Sequence, residues 1–286
     1  MKIERYDGSD EHLPFDLSPQ DVSNEADRRN PYVDGYQPPA EPNMPAPFEV
    51  MLNTSPTIMM PVGIDYLPGL DVENGIVPVD LLTQEPMVFG ADLSWANKNG
   101  GPLTKTAIEV LLGYPEFTRL YAQVKAGTKQ LNIDTRVTQC MEGFLPSIGG
   151  WHCDEVPRGR QYSQPDFSQV NTQGHRHFMV LLASVENHSC TEFVHEPFNF
   201  NYRGSRKVYT ELNEVVQWGL RFNQLTSFRI QPGAFYEFDQ LAVHRPTPTV
   251  NPGWRFFFRA SISDRPNSNS IRRQVQVYGN VGVVGW

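Results

Sequence analysis

The pattern of apolar and polar residues changes near the middle of the chain. The second half carries short apolar segments that are rich in Val, Phe, Tyr and Thr and are separated by Gly, Pro and Asn. Such segments predict β-strands, here near residues 135–143, 149–155, 177–184, 190–195, 226–231, 233–238, 241–246 and 254–262. Eight short strands with turn residues between them are typical of a jelly roll or barrel, so the pattern predicts a mainly β fold.

Two other stretches have a helical pattern instead. The first, near residues 104–126, should break before Pro115, which suits the first turn of a new helix, and should end at Gly127. The second, near residues 210–223, has Thr210 as a candidate N-cap. One apolar stripe runs along it, formed by Leu212, Val215, Val216 and Leu220. We expect both stretches to form packing helices.

The first 70 residues follow a third pattern. They hold eleven of the chain's 24 prolines, which remove backbone donors and favour extended backbone. We therefore predict an extended, acidic, proline-rich arm over residues 1–70 and a jelly-roll domain over residues 71–286. A flexible tail and an arm that docks on its own domain or on a neighbouring subunit both fit this composition. Apolar residues favour docking for 48–70, namely Phe48, Val50, Met51, Leu52, Ile58, Met59 and Met60.

The net charge of −8 is distributed unevenly along the chain. Residues 1–50 hold eleven acidic and four basic side chains, whereas residues 201–286 hold eleven basic and five acidic ones. A uniformly acidic chain would repel nucleic acids and anionic membranes, but here the acidity belongs mainly to the arm. The basic C-terminal third is therefore suited to anionic ligands.

The cysteines and the N-terminal residues bear on the compartment. Cys140, Cys153 and Cys190 lack CxxC spacing and are too few for a disulfide framework. The N-terminal residues are charged and contain no apolar signal segment, and no run of 18 apolar residues exists. We therefore expect a cytoplasmic protein that does not enter a membrane.

Candidate metal chemistry begins at the predicted strand near residues 149–155. His152 and Asp154 are two apart, so on a strand both side chains would point to one face and could hold one side of a metal ion. Alone this is a weak signal, because about one His-x-acid pair is expected by chance in a chain of this composition. A third candidate ligand, His244, lies downstream in the predicted strand near residues 241–246.

The last predicted strand carries two arginines on one face. Arg255 and Arg259 alternate there with a face of aromatic and apolar residues, Trp254, Phe256, Phe258 and Ala260. Arginine is rarely buried unless it is paired. If the arginine face points inward, the two guanidinium groups predict a bound anion or an acidic protein partner, and their planar fork fits a carboxylate. A solvated outer face is the alternative.

Two histidines and one carboxylate on one face form the facial triad of non-haem Fe(II) oxygenases. His152, Asp154 and His244 supply this set, and Arg255 and Arg259 follow it, so the sequence resembles the Fe(II)/2-oxoglutarate-dependent oxygenase superfamily over about residues 135–262. Arginines four apart look like taurine-dioxygenase-like members. The spacing to the second histidine and the PGAFYEFD segment look like phytanoyl-CoA-hydroxylase-like members, and the subfamily stays open.

The resemblance implies a double-stranded β-helix that binds Fe(II) through His152, Asp154 and His244. It also implies that one arginine, with Arg255 as first choice, holds the distal carboxylate of 2-oxoglutarate. Arg259 would then support this carboxylate or contact an anionic substrate group, and Thr191 would add a hydrogen bond. The implied reaction is substrate hydroxylation by O₂, coupled to release of succinate and CO₂. No catalytic residue beyond the metal ligands is implied.

Other hypotheses stay open at this point. A jelly-roll structural or assembly protein would form a homo-oligomer through its docking arm and would lack the metal site. A cupin-type enzyme would keep the metal but need no carboxylate anchor at Arg255. His175 and His177 are also two apart, and for them we expect an edge or substrate-side position rather than metal binding. We expect a small-molecule substrate, with peptides and nucleobases as open alternatives.

Overall fold

The structure, a computed structural model, describes residues 44–63, 75–147, 149–158, 164–170, 175–186, 188–264 and 273–275. In chain order its helices and strands are β1 (Phe48–Leu52), β2 (Ile58–Gly63), α1 (Val79–Thr83), β3 (Met87–Phe89), α2 (Leu93–Asn99), α3 (Pro102–Gly113), α4 (Pro115–Lys125), β4 (Gln130–Cys140), β5 (Arg176–Ala183), β6 (Thr191–Val194), β7 (Phe198–Tyr202), α5 (Val208–Arg221), β8 (Ser227–Arg229), β9 (Ala234–Phe238), β10 (His244–Pro246), β11 (Gly253–Ser263) and β12 (Arg273–Val275).

An antiparallel sheet of five strands, in the order β2-β9-β5-β11-β4, forms the centre of the fold. A second antiparallel sheet, β10-β6-β8, packs against one face of it through a buried cluster that includes Met179 of β5 and Phe193 of β6. The strands β1-β7 and β3-β12 form two further antiparallel pairs. The predicted mainly β class is confirmed.

Strand β11 separates two apolar layers. On the face of β11 toward the helices, Phe256 and Phe258 are fully buried and pack with residues of α2, α3 and α4. On its opposite face Phe257 packs against the cluster between the two sheets. Arg255 on this inner face is only 6% exposed, so the arginine face points inward and the solvated alternative is wrong.

Most predicted strands are present, but the segment 149–155 is not a strand. Its backbone makes one isolated bridge, His152 to His244, between turns. Gly150 has φ +90° and Glu155 has φ +54°, and such left-handed backbone does not continue a strand. The sequence pattern also missed β7, where asparagines alternate with aromatic residues.

The predicted helix break is confirmed, because Pro115 opens α4 directly after α3 ends. The N-cap assigned to Thr210 is wrong. Helix α5 begins at Val208, so Thr210 lies inside it. The carboxylate of Glu211 instead accepts the backbone N–H groups of Arg203, Ser205 and Arg206, which ties the preceding loop to the helix.

Part of the predicted arm belongs to the sheets of the domain. Strand β1 pairs with β7, and β2 pairs with β9, so these proline-flanked segments are extended and dock on their own chain. The remainder of the arm, residues 1–43 and 64–70, lies outside the described residues, as does most of the segment after residue 264. None of the described helices is both long and apolar enough to cross a membrane.

Candidate metal centre

Two of the predicted ligands meet across a pair of backbone hydrogen bonds. The amide of His152 donates to the carbonyl of His244, and the amide of His244 donates to the carbonyl of His152, both at 2.9 Å. The two imidazole rings consequently lie side by side, with their centroids 4.6 Å apart. A single antiparallel bridge is therefore enough to bring the loop before residue 155 against β10.

Asp154 completes the group. Its Oδ2 lies 3.4 Å from Nε2 of His244, and its Oδ1 lies 3.8 Å from Nε2 of His152. Ligand atoms about 2.1 Å from a shared ion are about 3.0 to 3.5 Å apart at right or tetrahedral angles. The three side chains that the sequence singled out thus converge at spacings close to those around a divalent cation.

The hydrogen bonds of the two histidines keep their metal-binding nitrogens available. Nδ1 of His152 lies 2.9 Å from the carbonyl of Gly150, and Nδ1 of His244 lies 2.9 Å from the carbonyl of Ala242. A carbonyl oxygen only accepts, so each Nδ1 carries a proton, and Nε2 is the nitrogen left to bind a metal. Burial, and then the neighbouring His244, lower the pKa of His152, which also favours the neutral ring.

Helix α5 holds the loop that carries His152. The side-chain oxygen of Asn213 accepts from the amide of Trp151 at 2.7 Å, and its nitrogen donates to the Trp151 carbonyl at 3.0 Å. Gly150 has φ +90°, and a Cβ there would lie 3.0 Å from the Asn213 oxygen, so only glycine fits this approach. Sequence reasoning missed Asn213, because nothing in a helical pattern indicates such a tertiary contact.

Arg259 is surrounded by carboxylates of the protein itself. Its NH1 donates to Asp154, and its NH2 lies 3.3 Å from Asp134 and 3.5 Å from Glu155. Burial opposes ionisation of Asp154, but Arg259, His244 and His152 together outweigh this and hold the pKa of that carboxyl well below its usual range. The acidic partners Asp134 and Glu155 were not predicted, since the first comes from β4 and the second from the turn after the metal loop.

Arg255 has a different environment. It is buried, and its NH1 donates to Ser189 Oγ at 3.1 Å. No carboxylate of the described residues forms an ion pair with it. Burial lowers its pKa to about 10, so it is still charged at neutral pH. A buried charge without a counter-ion is costly, which indicates an anionic ligand.

Thr191, the third residue assigned to the co-substrate, is buried at the start of β6. Its hydroxyl lies 3.9 Å from the sulfur of Met179, so it faces the inner surface of β5. Ser189, which no sequence pattern singled out, contacts Arg255 directly. Both hydroxyls therefore belong to the space between the two sheets.

A second group of donors lies next to this centre. His175 Nε2 is 2.9 Å from Glu155 Oε2, and His177 Nδ1 is 2.9 Å from Ser261 Oγ. Both histidines are buried, so they do not occupy an exposed edge, while the substrate-side position stays a prediction. Burial keeps the pKa of His177 well below its usual value. Burial opposes ionisation of Glu155, but His175, His177 and Arg259 lower its pKa to about 2.

Comparisons with known proteins add the following. No family model matches the chain, and no curated protein matches it. It is similar to a solved N-substituted L-amino acid dioxygenase from Burkholderia ambifaria AMMD, at 13% identity over 65% of this chain and 73% of that one, with a TM-score of 0.30. A structure of that dioxygenase in complex with alpha-KG matches at 13% identity over 65% and 72%, with a TM-score of 0.31. The nickel complex of ThoJ, a non-heme monooxygenase, matches at 14% identity over 65% and 76%, with a TM-score of 0.30.

Proposed function

We propose that the protein is a non-haem Fe(II)/2-oxoglutarate-dependent oxygenase. The observation that carries this proposal is that His152, Asp154 and His244 converge beside an inner sheet face that also holds Arg255, a buried guanidinium without a carboxylate partner among the described residues. Two imidazoles and one carboxylate leave coordination positions open, as ferrous oxygenases require. The two facing antiparallel sheets are compatible with the double-stranded β-helix that the resemblance implies.

The donor set fits a ferrous ion. His152, Asp154 and His244 would hold Fe(II), which when bound would supply the O₂ activation that amino-acid side chains lack. The carbonyls of Gly150 and Ala242 orient the two rings. Arg259 and the two histidines lower the pKa of Asp154, so this ligand need not lose a proton before it binds a cation.

Arg255 would bind the distal carboxylate of 2-oxoglutarate. It lies on the same face of β11 as Arg259, which contacts the ligand Asp154, and four strand residues separate the two by about 13 Å along the strand. A guanidinium in a buried site binds a carboxylate strongly, because both charges are then shielded from water. Ser189 orients the guanidinium, and Thr191 would add a hydroxyl to the same space.

The reaction we propose is hydroxylation of a small molecule, with release of succinate and CO₂. The structural or assembly alternative required that the three ligands stay apart, so their convergence does not favour it. A metal-dependent enzyme without a 2-oxo acid would leave the charge of Arg255 uncompensated. Assembly through the N-terminal arm stays a prediction.

The direct experiment supplies purified protein with Fe(II), O₂ and 2-oxoglutarate and measures succinate, with and without candidate metabolites. We expect succinate release by the wild-type chain and its loss in Asp154→Ala, which removes a ligand. Asp80→Ala, a change at an exposed residue of α1, is the matched control and should retain turnover. The proposal would be overturned if 2-oxoglutarate were not turned over with any candidate metabolite. Full retention of turnover in Asp154→Ala would also overturn it.

A further inference from the structure

We infer that Glu155, His175 and His177 form a second divalent-cation site, beside the His152-Asp154-His244 centre and with the same two-imidazole, one-carboxylate donor set. The two sites share no ligand. The second site therefore stands or falls independently of iron binding at the first one.

The fold brings these three donors together from two segments. His175 precedes β5 and His177 lies within it, and their rings are 4.6 Å apart because residues two apart share one side of a strand. His177 lies opposite Ser261 of β11 and Phe238 of β9, on the inner face of the sheet. Glu155 arrives from the turn that follows Asp154, and one donor atom from each residue lies within 4.8 Å of the others.

The closest contact in this group has the spacing of two ligands on one ion. His175 Nε2 and Glu155 Oε2 are 2.9 Å apart, and this buried nitrogen has no well-formed hydrogen bond. Two ligand atoms about 2.1 Å from an ion and at right angles to each other are about 3.0 Å apart. A cation between them satisfies both atoms, which the direct contact does not.

The third donor is buried and unused. His177 has no exposed surface, its Nδ1 is occupied by Ser261, and its Nε2 has no hydrogen-bond partner. A buried polar atom without a partner destabilises the fold. Because one ring nitrogen of His177 lies within 4.8 Å of the donor atoms of Glu155 and His175, we infer that one ion satisfies this ring.

Local charge also favours a cation. Arg259 faces three carboxylates, of Asp154, Asp134 and Glu155, so this group has an excess of negative charge. Oε1 of Glu155 contacts Arg259, and Oε2 contacts His175. Oε2 is therefore the oxygen that is available to a cation. A set dominated by imidazole selects Zn²⁺, Co²⁺ or Ni²⁺ over Mg²⁺ and Ca²⁺.

The test is a Co²⁺ titration of the full metal-free chain, with bound metal measured by equilibrium dialysis and visible absorption. We expect two bound equivalents for the wild type. His175→Leu and the milder Glu155→Gln should each lose one equivalent or weaken it at least 100-fold, and Asp154→Asn should lose the other. His195→Leu, a change at an exposed histidine elsewhere, is the matched control and should keep both.

Each other outcome decides between the two sites. If the wild type binds one equivalent of Co²⁺ that is lost in Asp154→Asn but kept in His175→Leu, the second site is overturned and the first is supported. One equivalent with the opposite behaviour supports the second site and contradicts the proposed iron centre. Two equivalents that both persist in His175→Leu and Glu155→Gln place the extra ion elsewhere and overturn the inference, as does the absence of any binding.

Discussion

Arg255 and Arg259 lie on the same face of the same strand, yet their surroundings differ in kind. Arg259 contacts three carboxylates of the protein, from Asp154, Asp134 and Glu155. Arg255 is more deeply buried but has only a serine hydroxyl as its side-chain hydrogen-bond partner among the described residues. One guanidinium is thus already neutralised by the fold, while the other has no acidic partner among the described residues.

The difference arises from the neighbouring strand and from one turn. Across β4, Arg259 lies opposite Asp134, whereas Arg255 lies opposite Thr138. The turn after His152 adds Asp154 and Glu155 to the Arg259 end only. An arginine paired with carboxylates and an arginine without an acidic partner among the described residues therefore lie four residues apart on one strand.

Replacing Arg259 should have the largest effect on stability. Arg259→Met leaves three partly exposed carboxylates without their cation. We expect a loss of about 2–3 kcal/mol in the free energy of unfolding of the metal-free protein, less than for a fully buried pair. Urea denaturation measures this. A change below about 1 kcal/mol would mean that these ion pairs are solvent-screened and that the comparison with Arg255 is wrong.

Arg255→Met should do the reverse, because it removes a buried charge that has no acidic partner. We expect the free energy of unfolding to stay the same or rise, while the Kd for 2-oxoglutarate rises by about 10- to 100-fold with the loss of a charged hydrogen-bonded contact. Urea denaturation measures the change in stability, and calorimetric titration of the Fe(II)-loaded protein measures the change in Kd. Strong destabilisation with unchanged affinity would assign Arg255 a purely structural role.

Glu155 should make the stability of the fold depend on pH, through its contacts with Arg259 and the two histidines. Its pKa is lowered from 4.5 to about 2, so its stabilising contribution is complete above about pH 4.5 and is lost as the pH falls toward 2. Without metal, the free energy of unfolding of Glu155→Gln should therefore fall less steeply with acidification than that of the wild type. Parallel slopes between about pH 5 and 3 would contradict the assignment.

Ser189→Ala should have the smallest effect. It removes one hydrogen bond that orients Arg255 but leaves the charge, so we expect the Kd for 2-oxoglutarate to rise about two- to ten-fold. The free energy of unfolding should change by less than about 1.5 kcal/mol. An effect on affinity as large as that of Arg255→Met would indicate that Ser189 itself is the main contact.

Alternation along the chain was sufficient to predict much of this fold. Apolar segments between turn residues located seven of the eight expected strands, and Pro115 located the helix break. Alternation assigned the two arginines to one face of β11. It failed at residues 149–155, where glycine and left-handed backbone replace the strand by a single bridge. His152 and Asp154 nevertheless reach one point, because His244 fixes the backbone of the loop.

The residues that contact the predicted site residues could not be predicted from the sequence, because they reach them only in the folded chain. Asn213, Asp134 and Ser189 contact the centre through tertiary packing from a helix, a neighbouring strand and a loop. No local period marks such positions, and any asparagine or aspartate in a polar sequence looks the same. The same holds for Glu155, whose role depends on the strands that carry His177 and Arg259.

The most direct test of the account is an anaerobic titration of the Fe(II)-loaded chain with 2-oxoglutarate. A 2-oxo acid that chelates Fe(II) gives a visible charge-transfer absorption, so both the metal and the co-substrate are observed together. We predict one equivalent of 2-oxoglutarate, loss of the absorption in Asp154→Ala, and a higher Kd in Arg255→Met. Absence of the absorption in the wild type, or equal affinity in all three proteins, would contradict the account.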